Sequence, residues 1–154
     1  MITKLEPKHL ESVIKLVRAS GLFDVEGIKQ INQCLAEHIA GNNALWFLAF
    51  DNETPLGIVY CTPEPMTEGT WNILMLVIAP AFQRQGHGQS LISHVEKSLE
   101  ARGERLIIVE TSSLGEFEKA RSFYLKCGYV EAARIQNFYA KGDDKIVFSK
   151  SLIG

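Results

Sequence analysis

A chain of 154 residues, 46% hydrophobic and 22% charged, has the composition of one globular domain with one core. Its 16 basic and 18 acidic residues give a formal net charge of −2, which argues against a nucleic-acid partner. Cys34, Cys61 and Cys127 form no CxxC pair and no zinc spacing, so they read as reduced thiols of a cytoplasmic protein with no metal site.

The first residues carry acids and no long apolar stretch, and no apolar run reaches the length of a bilayer span. Neither a signal peptide nor a membrane partner is expected. Residues 2–5 read as a short strand. Pro7 opens a helix whose Leu10, Val13, Ile14 and Val17 share one face, and Gly21 ends it. Asp24 caps a second helix with Ile28, Ile31, Leu35 and Ile39 on its buried stripe, stopped at Gly41-Asn42-Asn43. The period then shortens. ALWFLAF (44–50) and LGIVYCT (56–62), separated by a turn, predict an antiparallel hairpin. After a loop at 63–69, TWNILMLVIA (70–79) is dense enough in apolar residues to predict a central strand buried on both faces. The next helix buries Leu91, Ile92, Val95 and Leu99 and ends at Gly103. LIIVE (106–110) is a strand, parallel to the one before because a helix connects them. Beyond a polar segment, a helix over 116–126 puts Phe117, Ala120, Tyr124 and Cys127 on one face, and Gly128 closes it. Residues 129–139 and 145–151 are the last strands, joined through Gly142-Asp143-Asp144. The predicted order is β-α-α-β-β-β-α-β-α-β-β, an α/β or α+β arrangement in a single domain over 1–154.

The string AFQRQGHGQS (81–90) starts the third helix with Gly86 and Gly88, where Ser or Asp would cap better. A helix N-terminus carries unpaired N–H groups and partial positive charge, and glycine removes the Cβ atoms that would hold a ligand off. The turn therefore suits a phosphate or pyrophosphate, with Gln83, Arg84 and Gln85 as added donors. Equally, glycines permit a tight strand-to-helix turn with no ligand. No Walker A string occurs. A dinucleotide fingerprint needs G-x-G-x-x-G, and Leu91 stands in the third place. Glu110 does lie where the ribose-binding acid of that fold falls, but the βαβ unit occurs once, late in the chain.

Gln83-Arg84-Gln85-Gly86-His87-Gly88 resembles the Q/R-x-x-G-x-G/A signature of the GNAT superfamily of N-acetyltransferases. Leu76-Val77-Ile78-Ala79-Pro80 is similar to the strand before that loop. Ala120-Arg121-Ser122-Phe123-Tyr124-Leu125-Lys126-Cys127-Gly128-Tyr129 resembles the A-x-x-(L/F)-Y-x-x-x-G-(F/Y) segment. The motifs cover 70–130. The resemblance implies a mixed, mostly antiparallel sheet flanked by helices, with a splayed parallel strand pair and a late βαβ unit. It implies acetyl-CoA as co-substrate. The backbones of Arg84, Gln85, Gly86, His87 and Gly88, with Gln89 and Ser90 next, would hold the pyrophosphate. The edge at Leu76, Val77 and Ile78 would pair with the pantetheine arm. His87, the variable residue of the motif, is expected to point outward. One departure stands out: Phe117 occupies the place of a family asparagine that contacts CoA, with Ser112 or Ser113 as replacements or plain turn formers.

Acetyl transfer to an amine needs a proton acceptor for the amine and an acid for the leaving thiolate. Tyr124 matches the family tyrosine near the CoA sulfur and is the candidate acid; otherwise it packs in the core. Glu110, at the C-terminal end of a parallel strand, is the candidate base, or else a carboxylate that pairs with a cation. Glu64 and Glu68 are weaker alternatives, read as solvated. Trp46, Tyr60 and Trp71 line either the cleft or the core. Phe138 to Asp144 either faces the acceptor amine or caps a hairpin. The expected partner is a small amine, amino acid or peptide N-terminus, and a homodimer stays open. The alternative reading is a non-catalytic acyl-CoA-binding sensor on the same fold.

Overall fold

In the computed structural model, which describes residues 1–153, the elements follow one another in the predicted order. They are β1 (Ile2–Lys4), α1 (Leu10–Ser20), α2 (Val25–Gly41), β2 (Leu45–Asp51), β3 (Thr54–Pro63), β4 (Thr70–Ile78), α3 (His87–Ala101), β5 (Leu106–Ser112), α4 (Glu118–Lys126), β6 (Val130–Ala140) and β7 (Asp143–Ser151). The mixed sheet has seven strands in the order β1-β2-β3-β4-β5-β7-β6, with β4 and β5 as its parallel pair. Among the described residues, no helix is long and apolar enough to cross a membrane. The contacts divide the chain into two compact units, Met1–Thr62 with Met75–Val95 and Pro63–Leu74 with Glu96–Gly154.

In the first unit, local chemistry sets the helix ends. Gly21 closes α1 in the left-handed region at φ +68, which glycine adopts without strain. The Asp24 carboxylate accepts the Gly27 amide at 2.7 Å and so starts α2. Val13, Leu16 and Val17 of α1 and Ile31 and Leu35 of α2 bury against Trp46, Leu48, Ile58, Met75 and Val77 of the sheet. Ile39, expected on this stripe, is exposed, because α2 runs on past the edge of the core. On the other face of the sheet lie Leu91, Ile92 and Val95 of α3, all buried, and the Phe47 ring meets His94 edge-on at 4.5 Å. Gly57 of β3 makes room here. A Cβ on it would stand 2.7 Å from Ile78 Cδ1 and 3.0 Å from Leu91 Cδ1.

In the second unit, β4 and β5 pair only from Thr70–Leu106 to Ile73–Val109, although β4 continues to Ile78 and β5 to Ser112. Glu110 is thus the first β5 residue past the paired stretch. β5 pairs antiparallel with β7, which sets Val109 opposite Phe148 and Thr111 opposite Ile146. This face is the buried one. Tyr124 of α4 and Tyr129 pack on it, with ring centroids 5.7 Å apart, and Tyr124 lies 6.3 Å from Phe148. The buried Thr111 hydroxyl is satisfied by the Ile146 carbonyl at 3.0 Å. The Glu96 carboxylate accepts the Tyr129 hydroxyl at 2.9 Å and the Lys150 ammonium at 3.1 Å, and that ammonium also donates to the Cys127 carbonyl at the end of α4.

The opposite face of this unit is open, and here two expectations fail. Residues 71–73 are buried in succession, but Leu74 is 50% exposed, so β4 is covered on both faces for only part of its length. Phe117, expected on the buried side of α4, is exposed, because a 3-10 turn takes up 115–117 and the α-helix begins after it. Cys127 is the C-cap of α4 and not part of its buried face. Every residue of β6, at the edge of the sheet, is exposed.

Gly57→Ala drives a methyl group against the tips of Ile78 and Leu91 and within 3.3 Å of the Val77 carbonyl oxygen. The expected cost is about 1–3 kcal/mol by overpacking. It should appear as a lower urea midpoint at unchanged slope.

Candidate functional site

In the first unit the turn into α3 is built from left-handed backbone. Gly86 sits at φ +84 and Arg84, which has a Cβ, at φ +63. A non-glycine residue in that region costs of order 1 kcal/mol and persists only where its surroundings impose it. The first helical hydrogen bond runs from Ser90 N to Gly86 O at 3.1 Å, so the amides of His87, Gly88 and Gln89 precede the ladder. Gly86 has no side chain to cap them, and no acidic residue stands in the first turn. A Cβ built on Gly86 meets nothing within 4 Å. The protein itself does not crowd that position. The space over the amides is open, positively polarised and of a kind that accepts an anion.

Within this loop, Gln83 and Gln85, two of the three expected donors, bond to backbone carbonyls. The Gln83 amide donates to the Ile78 carbonyl at 3.2 Å, Gln85 to the Ala81 carbonyl at 3.4 Å, and Ser90 Oγ to the Gly86 carbonyl at 3.1 Å. They brace the turn from within, and Arg84 is exposed. His87 does not point fully outward. It is half-buried, with its ring 6.2 Å from Phe82. Of the β4 residues, Val77 is buried in the core and Leu76 and Ile78 are half-buried.

In the second unit, Tyr124 is 6% exposed. The fully enclosed side-chain atoms without a partner are Thr3 Oγ1, Trp46 Nε1 and Asn72 Oδ1. The Tyr124 ring packs edge-on against Phe123 at 5.2 Å and against Tyr129 at 5.7 Å. Burial, and then the neighbouring Cys127, push the Tyr124 pKa above the ordinary phenol value of 10.0, so it stays protonated throughout the neutral range.

Glu110 is ion-paired. Its Oε1 lies 2.9 Å from Lys145 Nζ, and the two side chains are 33% and 13% exposed. Strand register explains the contact: Val147 stands opposite Glu110, and Lys145 is its diagonal neighbour on the same face. The Lys145 ammonium also lies 3.8 Å from the centroid of the Phe138 ring. Phe138 reaches it because β6 loses regular register between Ile135 and Ala140. Asn137 sits there at φ +56, its side chain accepting the Gly142 amide at 2.8 Å and its own amide donating to Asp144 at 2.8 Å. The Asp144 carboxyl, also bound by Arg134 at 2.8 Å, is held below the ordinary carboxylate value, first by the Asn137 amide and then by Arg134. Ser112 bonds to Asp143, and Ser113 Oγ accepts the Asp144 amide at 2.8 Å. These serines therefore tie the strand end to a capped hairpin.

Glu64, expected to be solvated, instead accepts the Asn72 side-chain amide at 2.8 Å, and Asn72 is 3% exposed. Trp46 and Trp71 are core residues, and Tyr60 stacks on Trp46 at 4.0 Å. Sequence reasoning missed Lys145 and Asn72. The signal for Asn72 was present: an amide inside an otherwise apolar strand needs a partner.

A sequence profile of the acetyltransferase (GNAT) family matches residues 14–129. The chain belongs to that family. Among curated proteins, none matches it by sequence. Among solved structures, a GNAT-family protein from Desulfovibrio desulfuricans superposes with a TM-score of 0.94 at 26% identity, over 99% of this chain and 98% of that one. An aminoglycoside 6'-N-acetyltransferase complexed with coenzyme A gives 0.83 at 18% identity, over 100% and 98%. The ribosomal-protein-S18-alanine N-acetyltransferase from Escherichia coli gives 0.80 at 21%, over 99% and 93%. The last two likenesses establish the fold.

Tyr60, Tyr124, Tyr129 and Tyr139 all have pKa values raised above 10.0, with burial as the largest cause in each. The folded chain then holds these protons at pH values where the unfolded chain releases them. Stability is whole below about pH 10 and falls as pH rises beyond it. Tyrosinate absorbance should show no step near pH 10 in the folded protein and should instead rise with unfolding. Tyr124→Phe should make the alkaline loss of stability shallower.

Proposed function

We propose that the chain is an acetyl-CoA-dependent N-acetyltransferase acting on a primary amine. The observation that carries this reading is the open, left-handed turn at Arg84 and Gly86, with the amides of His87, Gly88 and Gln89 ahead of the α3 ladder. The turn fits a diphosphate: its donors are backbone, its Cβ position is open, and the Gln83, Gln85 and Ser90 side chains are already engaged with backbone carbonyls. The family membership and a neighbour crystallised with coenzyme A support the same cofactor.

In this reading the backbones of Arg84 through Gly88 hold the pyrophosphate, with Gln89 and Ser90 behind them, and the β4 edge at Leu76 to Ile78 receives the pantetheine arm. Acetyl-CoA supplies an activated acyl group on sulfur. Tyr124 is the acid: a phenol kept neutral by burial donates to the leaving thiolate. Glu110 receives the amine's proton, directly or through water, while its Oε1 stays paired with Lys145. The acceptor is a primary amine, whether small molecule, amino acid or peptide N-terminus.

Calorimetric titration with acetyl-CoA is the first test. Wild-type protein should bind, and Gly86→Asp should weaken binding on the order of 100-fold, because it sets a carboxylate against the diphosphate and a Cβ in the open space. Tyr124→Phe should keep cofactor affinity and lower turnover by about 10²–10⁴ in a thiol-release assay. Binding without turnover of any amine would favour an acyl-CoA sensor. No binding by folded protein would remove the enzyme reading.

A further inference from the structure

Lys145 is held as a substrate ammonium would be. Its Nζ lies 2.9 Å from the Glu110 carboxylate and 3.8 Å from the centre of the Phe138 ring, and its side chain is only 13% exposed. A carboxylate and an aromatic face together make a cation cage, since a charge-assisted hydrogen bond and a cation–π contact act on one ammonium. The neighbourhood adds more negative charge. The Tyr139 phenol is raised by burial and then by Glu110 and Asp143, which places both carboxylates close to it. The walls of the cage are reachable: Phe138 and Tyr139 are each about half exposed. Its geometry is built rather than accidental. The left-handed Asn137, locked through Gly142 and Asp144, is what turns Phe138 over the lysine.

We infer that Lys145 is the specificity-determining residue for the acceptor: its ammonium fills the cage of Glu110 and Phe138, so an acceptor's second cationic group finds that place taken. This inference rests on the amine-acetyltransferase reading for its functional meaning, but the occupied cage stands on geometry alone. A tethered ammonium competes at a high effective concentration with any free one. A monoamine presents one nitrogen, the one that reacts, and puts no second charge in the place that Lys145 fills beside Phe138. A diamine, or any polycation, loses the added binding that a carboxylate and ring would give its far end. The chain is therefore selective for acceptors with a single amine over polyamines.

The test separates the cage from the chemistry by working without acetyl-CoA. Wild-type, Lys145→Met and the double variant Lys145→Met/Glu110→Gln are titrated by calorimetry with 1,4-diaminobutane and with n-butylamine. Lys145→Met should gain diamine affinity by about tenfold, the size of one such contact. Butylamine should gain less, and the double variant should lose the gain. A folded Lys145→Met protein that binds diamine no better than wild type overturns the inference, as does a double variant that keeps the gain. Lys145→Gln, which retains most of the stem, serves if methionine unsettles the hairpin. In wild-type protein, lysine-ammonium NMR should show a slowly exchanging Lys145 signal, distinct from that of Lys150 and assigned by its loss in Lys145→Met. The Lys145 signal should disappear in Glu110→Gln, and its absence from wild type would also overturn the cage. Transfer assays on the same amines then read the functional half. Diamine turnover should rise relative to monoamine turnover in Lys145→Met. Cation binding gained with no transfer by any variant would leave the cage standing and the enzyme reading fallen.

Discussion

A helix has to begin somewhere, and its first amides need partners. In α3 the residue that would normally supply one is Gly86, which has no side chain, and the serine within reach, Ser90, spends its hydroxyl on the Gly86 carbonyl. The rest of the first unit is arranged around that deficit. Gly57 lets Ile78 and Leu91 close up on β3, which fixes the end of β4 and the start of α3. Gln83 and Gln85 hold the intervening turn by its own carbonyls. Arg84 accepts a strained backbone. A stable fold gains nothing from leaving amides bare. The strain at Arg84 and the amides ahead of the ladder are what the proposed anion-binding reading rests on.

The second unit solves a different problem. Its sheet is covered on one face and open on the other, and polar groups do the work that a second helix layer would do elsewhere. Glu96 gathers a phenol and an ammonium beneath the end of α4. Asn72 holds Glu64, and Asp144 takes the Asn137 amide and Arg134 together. The Glu96 contacts join elements distant in sequence on the covered face, while Asn72 with Glu64 and Asn137 with Asp144 are local ties between neighbouring segments. The proximity of Glu110 and Lys145 follows from the register of β5 and β7.

The sequence made some of this legible and hid the rest for physical reasons. The element order could be read because periodicity, caps and glycine stops are local. Asp24 and Gly21 act within a few residues of themselves, as the turn at Gly86 does. The parallel relation of β4 and β5 followed from a helical connection and handedness. What could not be read needs three-dimensional neighbours. Ile39 matches its stripe perfectly and is exposed only because the core ends before α2 does. Leu74 looks like its apolar neighbours, yet it stands half exposed. The Glu110–Lys145–Phe138 cluster draws on three strands, and an irregularity around Asn137 sets one of its members. Glu110 was visible as a carboxylate at a strand end; its partner was not.

The exposed edge strand β6 has a bearing on how copies of this chain meet. A long strand with Val130, Ile135, Phe138 and Tyr139 open to water would ordinarily recruit another strand. Between Glu131 and Ala133, and again between Ile135 and Ala140, the ladder to β7 slips out of register. A flat incoming strand would match it for only a few residues before its hydrogen bonds fell out of step. The register slips therefore act against unlimited edge-to-edge stacking along β6.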